Sequence, residues 1–201
     1  MTEPTIAELL AAADLNEAVE LRGLIARLTL EGRLRGARLD GRAIGAAGLA
    51  AITVTGVAFD SRDVRAGSLF VAVPGLHADG HDFIGTAAAA GASAALVDHA
   101  LPDSDLPQLV VADTRAALAT AAAWWYRDPS AELAVVGITG TDGKTTTSFL
   151  ATAALEAAGV RTGMTGTAET RIGGVQAANE AHATTPEAPE LQRALRAIYR
   201  R

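Results

Sequence analysis

The chain contains a single lysine, Lys144, among its 17 basic residues; the other sixteen are arginine. An ammonium is a compact, mobile point charge where a guanidinium is a planar fork, so a position that keeps lysine in an arginine-rich chain marks a place where the two differ chemically. Lys144 lies in Gly-Ile-Thr-Gly-Thr-Asp-Gly-Lys-Thr-Thr, residues 137–146, between an apolar run and an alanine-rich stretch. A glycine-rich turn between strand and helix points backbone N–H groups and a helix N-terminus at an anion, so this segment reads as a phosphate cradle. Thr139, Gly140, Thr141, Asp142, Gly143, Lys144 and Thr145 are its candidate residues. Gly140 and Gly143 let the backbone turn and approach oxygen atoms, Lys144 reaches the β- and γ-phosphates as the candidate catalytic residue, and the Thr145 hydroxyl ligates Mg²⁺. Asp142 orients either the turn or the water shell of the metal. The usual spacing G-x-x-x-x-G-K-[ST] requires glycine at position 138, which is Ile138; the glycines fall at 137, 140 and 143. A GTP reading needs a second lysine for base recognition, so ATP is the expected nucleotide.

The elements that must position this loop are legible from periodicity. Residues 133–138 read as a buried-type strand and 145–158 as a helix closed by Gly159, a β-loop-α unit. Upstream, 114–126 reads as a helix capped by Asp113, and Asp128-Pro129-Ser130 breaks it, so a new domain is expected near Ala131. Strands are expected at 53–59, 68–73, 94–98 and 108–113, with a helix over 83–91, together a small α/β domain. Residues 5–35 carry Leu21, Leu24, Ile25 and Leu28 at helical spacing and predict one or two amphipathic helices, followed by a connection over 36–51. After the loop unit come a strand at 161–165, a turn at Gly173-Gly174, and a helix from about 186 to 200 with Leu191, Leu195 and Ile198 on one face. The expected organisation is a lead-in over 1–52, an α/β domain over 53–130, and the beginning of an ATP-binding domain over 131–201.

Bulk properties narrow the ligands. A 49% hydrophobic content supports a buried core, while a net charge of −6 without any Lys/Arg run excludes a nucleic-acid or acidic-membrane surface. The absence of cysteine removes disulfides and thiolate metal sites and suits the cytoplasm. No apolar run approaches the roughly 20 residues of a membrane span, and the first residues lack a basic leader. The expectation is a cytoplasmic protein with small-molecule ligands and no obligate protein partner.

The loop with its displaced first glycine resembles the ATP loop of the Mur ligase family. Two further segments resemble that family's MurE branch. Asp60-Ser61-Arg62, followed by Gly-Ser-Leu-Phe-Val-Ala-Val-Pro-Gly at 67–75 and Asp79-Gly80-His81, is similar to its uridine-diphosphate-binding amino-terminal domain. Thr-Thr-Pro-Glu-Ala-Pro-Glu-Leu-Gln at 184–192 is similar to its substrate-contacting segment. The resemblance runs from about Val54 to the end. It implies an α/β fold with a UDP-sugar-binding domain followed by an incomplete P-loop-type central domain, and an ATP- and Mg²⁺-dependent amide ligase of peptidoglycan synthesis. The implied substrates are UDP-N-acetylmuramoyl-L-alanyl-D-glutamate and a diamino acid, meso-diaminopimelate or L-lysine; ATP phosphorylates the D-glutamyl carboxylate and the amine attacks the acyl phosphate. By position, Phe59, Ser61, Leu76, His77 and Ala78 would contact the uridine diphosphate end, and Thr184 and Thr185 the muramoyl-peptide. The resemblance also implies a downstream metal-binding carboxylate and histidine, a second, carboxylated lysine and a carboxy-terminal domain, so the 201 residues alone are expected to be inactive.

Each of these residues also has a plainer reading. Ser61 can cap a turn. Thr184 and Glu187 fit a helix capping box. His77 and His81 have a spacing seen in helical metal pairs, but Ala78-Asp79-Gly80 between them reads as loop, and no metal is assigned there. Two rivals to the ligase are a folylpolyglutamate-type synthetase of the same superfamily, which leaves Asp60-Ser61-Arg62 unexplained, and a non-catalytic UDP-sugar or nucleotide-binding module.

Overall fold

The computed structural model describes residues 3–75, 78–179 and 185–201. Two compact units emerge, one of Leu15–Arg127 and one joining Met1–Asp14 to Asp128–Arg201. The first element, α1 (Ile6–Ala11), opens on a capping box in which Thr5 and Glu8 satisfy each other's backbone N–H groups.

The unit of Leu15–Arg127 runs β1 (Val19–Glu20), α2 (Arg22–Leu30), β2 (Leu34–Leu39), β3 (Arg42–Ile44), β4 (Thr53–Val54), β5 (Gly56–Ala58), β6 (Ser68–Val71), α3 (Ile84–Ala89), β7 (Ala94–Val97), β8 (Gln108–Val111) and α4 (Thr114–Trp125). Six strands form one mixed sheet in the order β3-β2-β8-β7-β6-β5, parallel from β5 through β8 and antiparallel at β2 and β3. β6 and β7 are buried along their whole length, which explains why residues 69–71 and Ala94–Val97 read as apolar runs. On one face Ala58, Phe70, Ala72, Ala95 and Val97 pack against Ile84 and Ala87 of α3. Alternation turns Leu69, Val71 and Leu96, also buried, to the other face, and α4, packed on α2, lies over β5 and β7. The Thr120 hydroxyl donates to Glu31 Oε2 at 2.7 Å and ties α4 to the end of α2.

The lead-in expected over 1–52 is therefore divided: α1 packs in the other unit, while β1 to β3 and α2 are built into this one. The helical reading of 5–35 is corrected in part. Only 6–11 and 22–30 are helical, because Leu21, Leu24 and Leu28 are buried beside α4 while residues 34–39 pair with β8. The strand expected at 53–59 is interrupted at Thr55, where β4 pairs with β1 and β5 with β6.

The second unit holds α5 (Pro129–Glu132), α6 (Lys144–Ala157), β9 (Gly163–Thr165), β10 (Glu169–Ile172), β11 (Val175–Ala178) and α7 (Ala188–Tyr199). β9, β10 and β11 form an antiparallel sheet whose β10–β11 turn is Gly173-Gly174. Ile6, Leu9 and Ala13 pack with Ile172 and Ala197, and Arg193 donates to Leu10 O at 3.1 Å and to Asp14 at 2.5 Å, which anchors α1 on α7. The strand expected at 133–138 does not form. These residues pair with no strand among those described, and Val135 and Val136 are 55% and 76% exposed.

Candidate functional site

The phosphate loop is built by the end of an extended segment and the start of α6. Gly143 occupies the N-cap position with φ of +76°, a left-handed conformation that glycine adopts without penalty, and space around it is open. No side chain caps α6, so its first-turn N–H groups, which have no intrahelical acceptor, face outward. Lys144 is the first residue of the helix. Its Nζ donates to Gly140 O at 2.7 Å and Thr141 O at 3.2 Å, and so lies back over the turn. Thr139, Thr141, Asp142 and Thr145 are exposed around it. The structure thus brings together every loop residue singled out from the sequence. An open glycine turn, uncapped N–H groups, one ammonium and the exposed hydroxyl residues Thr139, Thr141 and Thr145 form a donor set that fits a polyphosphate with a hard cation.

A cavity of about 420 Å³ lies in the other unit and is lined by Phe59, Asp60, Ser61, Arg62, Phe70, Val73, Ala78, Gly80 and Phe83. Its rim follows from local chemistry. Asp60 caps the 3₁₀ turn Ser61–Asp63 by accepting from Arg62 N at 2.9 Å, and the Arg62 guanidinium chelates the same carboxylate. That guanidinium, and then the backbone N–H, hold the Asp60 carboxyl down at about 2. The opposite wall is the 3₁₀ turn Gly80–Phe83, which lies so close to the end of β6 that a Cβ at Gly80 would stand 2.6 Å from Val73 N. Only glycine allows that approach, and Gly80 N donates to Val73 O at 3.1 Å.

Of the residues expected at the uridine diphosphate end, Phe59, Ser61 and Ala78 line this cavity, while Leu76 and His77 lie outside the described residues. Thr184 does too. Thr185 is exposed before α7. The cap of α7 is not Thr184 with Glu187 but Glu187 with Glu190, one turn later, with Glu187 N donating to Glu190 Oε2 at 3.0 Å. Sequence reasoning missed Phe70, Val73 and Phe83 as lining residues. Phe70 and Val73 fall inside the 67–75 segment already singled out, whereas Phe83, 39% exposed in the structure, has no sequence signal of its own.

The "Mur ligase family, catalytic domain" profile matches residues 53–126, and the "Mur ligase middle domain" profile matches 138–201. The chain belongs to the Mur ligase family. It is 46% identical over 145 residues to a UDP-N-acetylmuramyl-tripeptide synthetase of Roseiflexus sp. (strain RS-1), covering 71% of this chain and 28% of that protein. With the enzyme of the same name from Deinococcus radiodurans the identity is 49% over 147 residues, 71% of this chain and 30% of the relative. Among solved structures, a UDP-N-acetylmuramoyl-L-alanyl-D-glutamate--2,6-diaminopimelate ligase superposes with a TM-score of 0.58 at 26% identity, over 76% of this chain and 31% of that one. The chain therefore spans less than a third of the length of these Mur ligases. Among the described residues, no helix is long and apolar enough to cross a membrane.

Proposed function

We propose that this chain is the nucleotide-sugar-binding and ATP-loop portion of a cytoplasmic ligase that uses ATP to join a diamino acid to UDP-N-acetylmuramoyl-L-alanyl-D-glutamate. The observation that carries the reading is the junction of Gly143 and Lys144, where an uncapped helix N-terminus meets the only lysine of the chain. The names of the relatives support the muramoyl-peptide substrate, and the cavity rimmed by Ser61 and Phe83 supports a separate seat for the nucleotide sugar.

In this reading residues 139–145 hold the ATP phosphates, and the Thr145 hydroxyl holds Mg²⁺. Bound Mg-ATP supplies the phosphoryl group that activates the D-glutamyl carboxylate toward an amine. Lys144 exchanges the carbonyl oxygens of Gly140 and Thr141 for phosphate oxygens, a small movement for a flexible four-carbon stem. Its charge then offsets the repulsion between two anionic reactants, and the first N–H groups of α6 orient the oxygens. Phe59, Ser61 and the 76–78 segment take the uridine diphosphate end, and Thr184 and Thr185 the muramoyl-peptide; the diamino acid is meso-diaminopimelate or L-lysine.

Calorimetric titration with Mg-ATP tests the loop. Lys144→Ala removes one charged phosphate contact and should cost about 1.5–3 kcal/mol, roughly tenfold to a hundredfold in affinity. An affinity equal to that of the unaltered chain would refute the assignment.

A further inference from the structure

His81 is a buried histidine that the proposed ligase chemistry does not use. It sits in the Gly80–Phe83 turn, with Nδ1 2.6 Å from Asp79 Oδ1. A carboxylate at that distance holds the imidazole proton on Nδ1 and leaves the Nε2 lone pair free to accept. Nε2 faces the residues that follow β7, where it accepts from Asp98 N at 3.2 Å and lies 3.3 Å from Asp98 Oδ1. His99 Nδ1 is 2.6 Å from that same oxygen, and the two imidazole rings stack at 4.2 Å. One ligand atom from each of His81, Asp98 and His99 lies within 4.8 Å of the other two.

We propose that His81, Asp98 and His99 form a binding site for one divalent transition-metal ion of the zinc type. Two imidazoles and a carboxylate are a borderline donor set, which suits zinc, cobalt or nickel and not the all-oxygen shells of magnesium or calcium. Ligand atoms about 2.0–2.1 Å from a tetrahedral ion stand about 3.3 Å apart, the separation already present between His81 and Asp98. His99 has to open by about 0.7 Å from its hydrogen bond and turn out of its stack on His81 so that the ion lies in the plane of both rings, which its exposed side chain permits. The ion takes the place of the proton shared by His99 and Asp98, and displaces the long Asp98 N–H contact from Nε2. The Asp79–His81 hydrogen bond is the outer support that metal-bound histidines usually have, and it is in place without the ion. Three protein ligands leave a fourth position for water. Because the Gly80–Phe83 turn also contributes Gly80 and Phe83 to the 420 Å³ cavity, the ion would pin one wall of that cavity to the end of β7.

The test is calorimetric titration of the chelator-treated 201-residue chain with Zn²⁺ alone, in the unaltered protein and in His99→Ala, Asp98→Asn, His77→Ala and His182→Ala. His99 is exposed and Asp98→Asn keeps the backbone donor, so neither depends on disturbing buried His81; circular dichroism checks that the fold is kept. The expected result is one Zn²⁺ per chain with a micromolar or tighter Kd, weakened at least tenfold by His99→Ala and by Asp98→Asn and unchanged in His77→Ala and His182→Ala. Absence of binding, equal affinity in His99→Ala or Asp98→Asn, or loss on replacing His77 or His182 would overturn the site.

Discussion

Lys144 and Asp60 show how much one side chain's meaning depends on its immediate partners. Lys144 was legible in the sequence because it is unique and follows a glycine turn, and the structure places its ammonium over that turn. The cavity rim was legible only in part. Ser61 belongs to a contiguous motif, and Phe70 and Val73 fall in the 67–75 segment that accompanies it, but Phe83 joins them only through the fold. Asp60 has a measurable signature. The Arg62 guanidinium, with the Arg62 N–H, lowers its carboxyl from an ordinary 3.8 to about 2. A carboxylate lowered in the folded state contributes its stabilisation fully above the ordinary value and loses it as pH falls toward the folded value, so this contribution disappears between about pH 4 and pH 2. Carbon-13 NMR titration of Asp60 should give a midpoint near 2, moving up toward 4 in Arg62→Ala. A midpoint near 4 in both proteins would mean that the chelating contact does not persist in solution.

Among the elements the cap of α4 was legible, that of α7 was displaced by one turn, and strand pairing was the least legible. Asp113 was expected to cap 114–126, and its side chain accepts from Ala116 N at 3.0 Å at the start of α4. That cap is local, set by residue type and the periodicity that follows it. Both tryptophans of the chain, Trp124 and Trp125, lie on α4, so their fluorescence follows this unit during denaturant unfolding. Asp113→Ala should lower its stability by about 1 kcal/mol, within the roughly 0.5–2 kcal/mol typical of such caps, and an unchanged midpoint would contradict the cap. Residues 133–138 are the counterexample. Their apolar run suits a strand, yet a strand exists only when a neighbour supplies a ladder, and β9, β10 and β11 pair only with one another. Residues 34–44 failed in the opposite sense. Their arginines and glycines conceal strands, because a hairpin on the sheet edge, joined to β8, tolerates polar side chains that a central strand would not.

At the scale of the whole chain, the two family profiles divide between the two units much as the two candidate sites do, nucleotide sugar in 15–127 and phosphate loop in 128–201. The second unit leaves apolar surface uncovered: Leu150 on α6 is 67% exposed, together with Val135, Val136, Leu155 and Val160. Such a surface promotes association in water. The 201-residue chain should therefore self-associate in sedimentation equilibrium at micromolar concentration and shift toward monomer in Leu150→Glu; a monomer throughout would show that this surface is covered in solution. The proposed function requires that the chain bind a muramoyl-peptide nucleotide in the cavity rimmed by Ser61 and a polyphosphate at Lys144 as separable events. The most direct measurement is a paired calorimetric titration of the unaltered chain and Ser61→Ala, first with UDP-N-acetylmuramoyl-L-alanyl-D-glutamate and then with Mg-ATP. Ser61→Ala, which removes one hydroxyl contact, should weaken the nucleotide sugar by about 0.5–1.5 kcal/mol, roughly twofold to tenfold, and leave Mg-ATP unchanged. Equal affinity of the two proteins for the nucleotide sugar, or no binding of it by the unaltered chain, would rule out a nucleotide-sugar seat at Ser61.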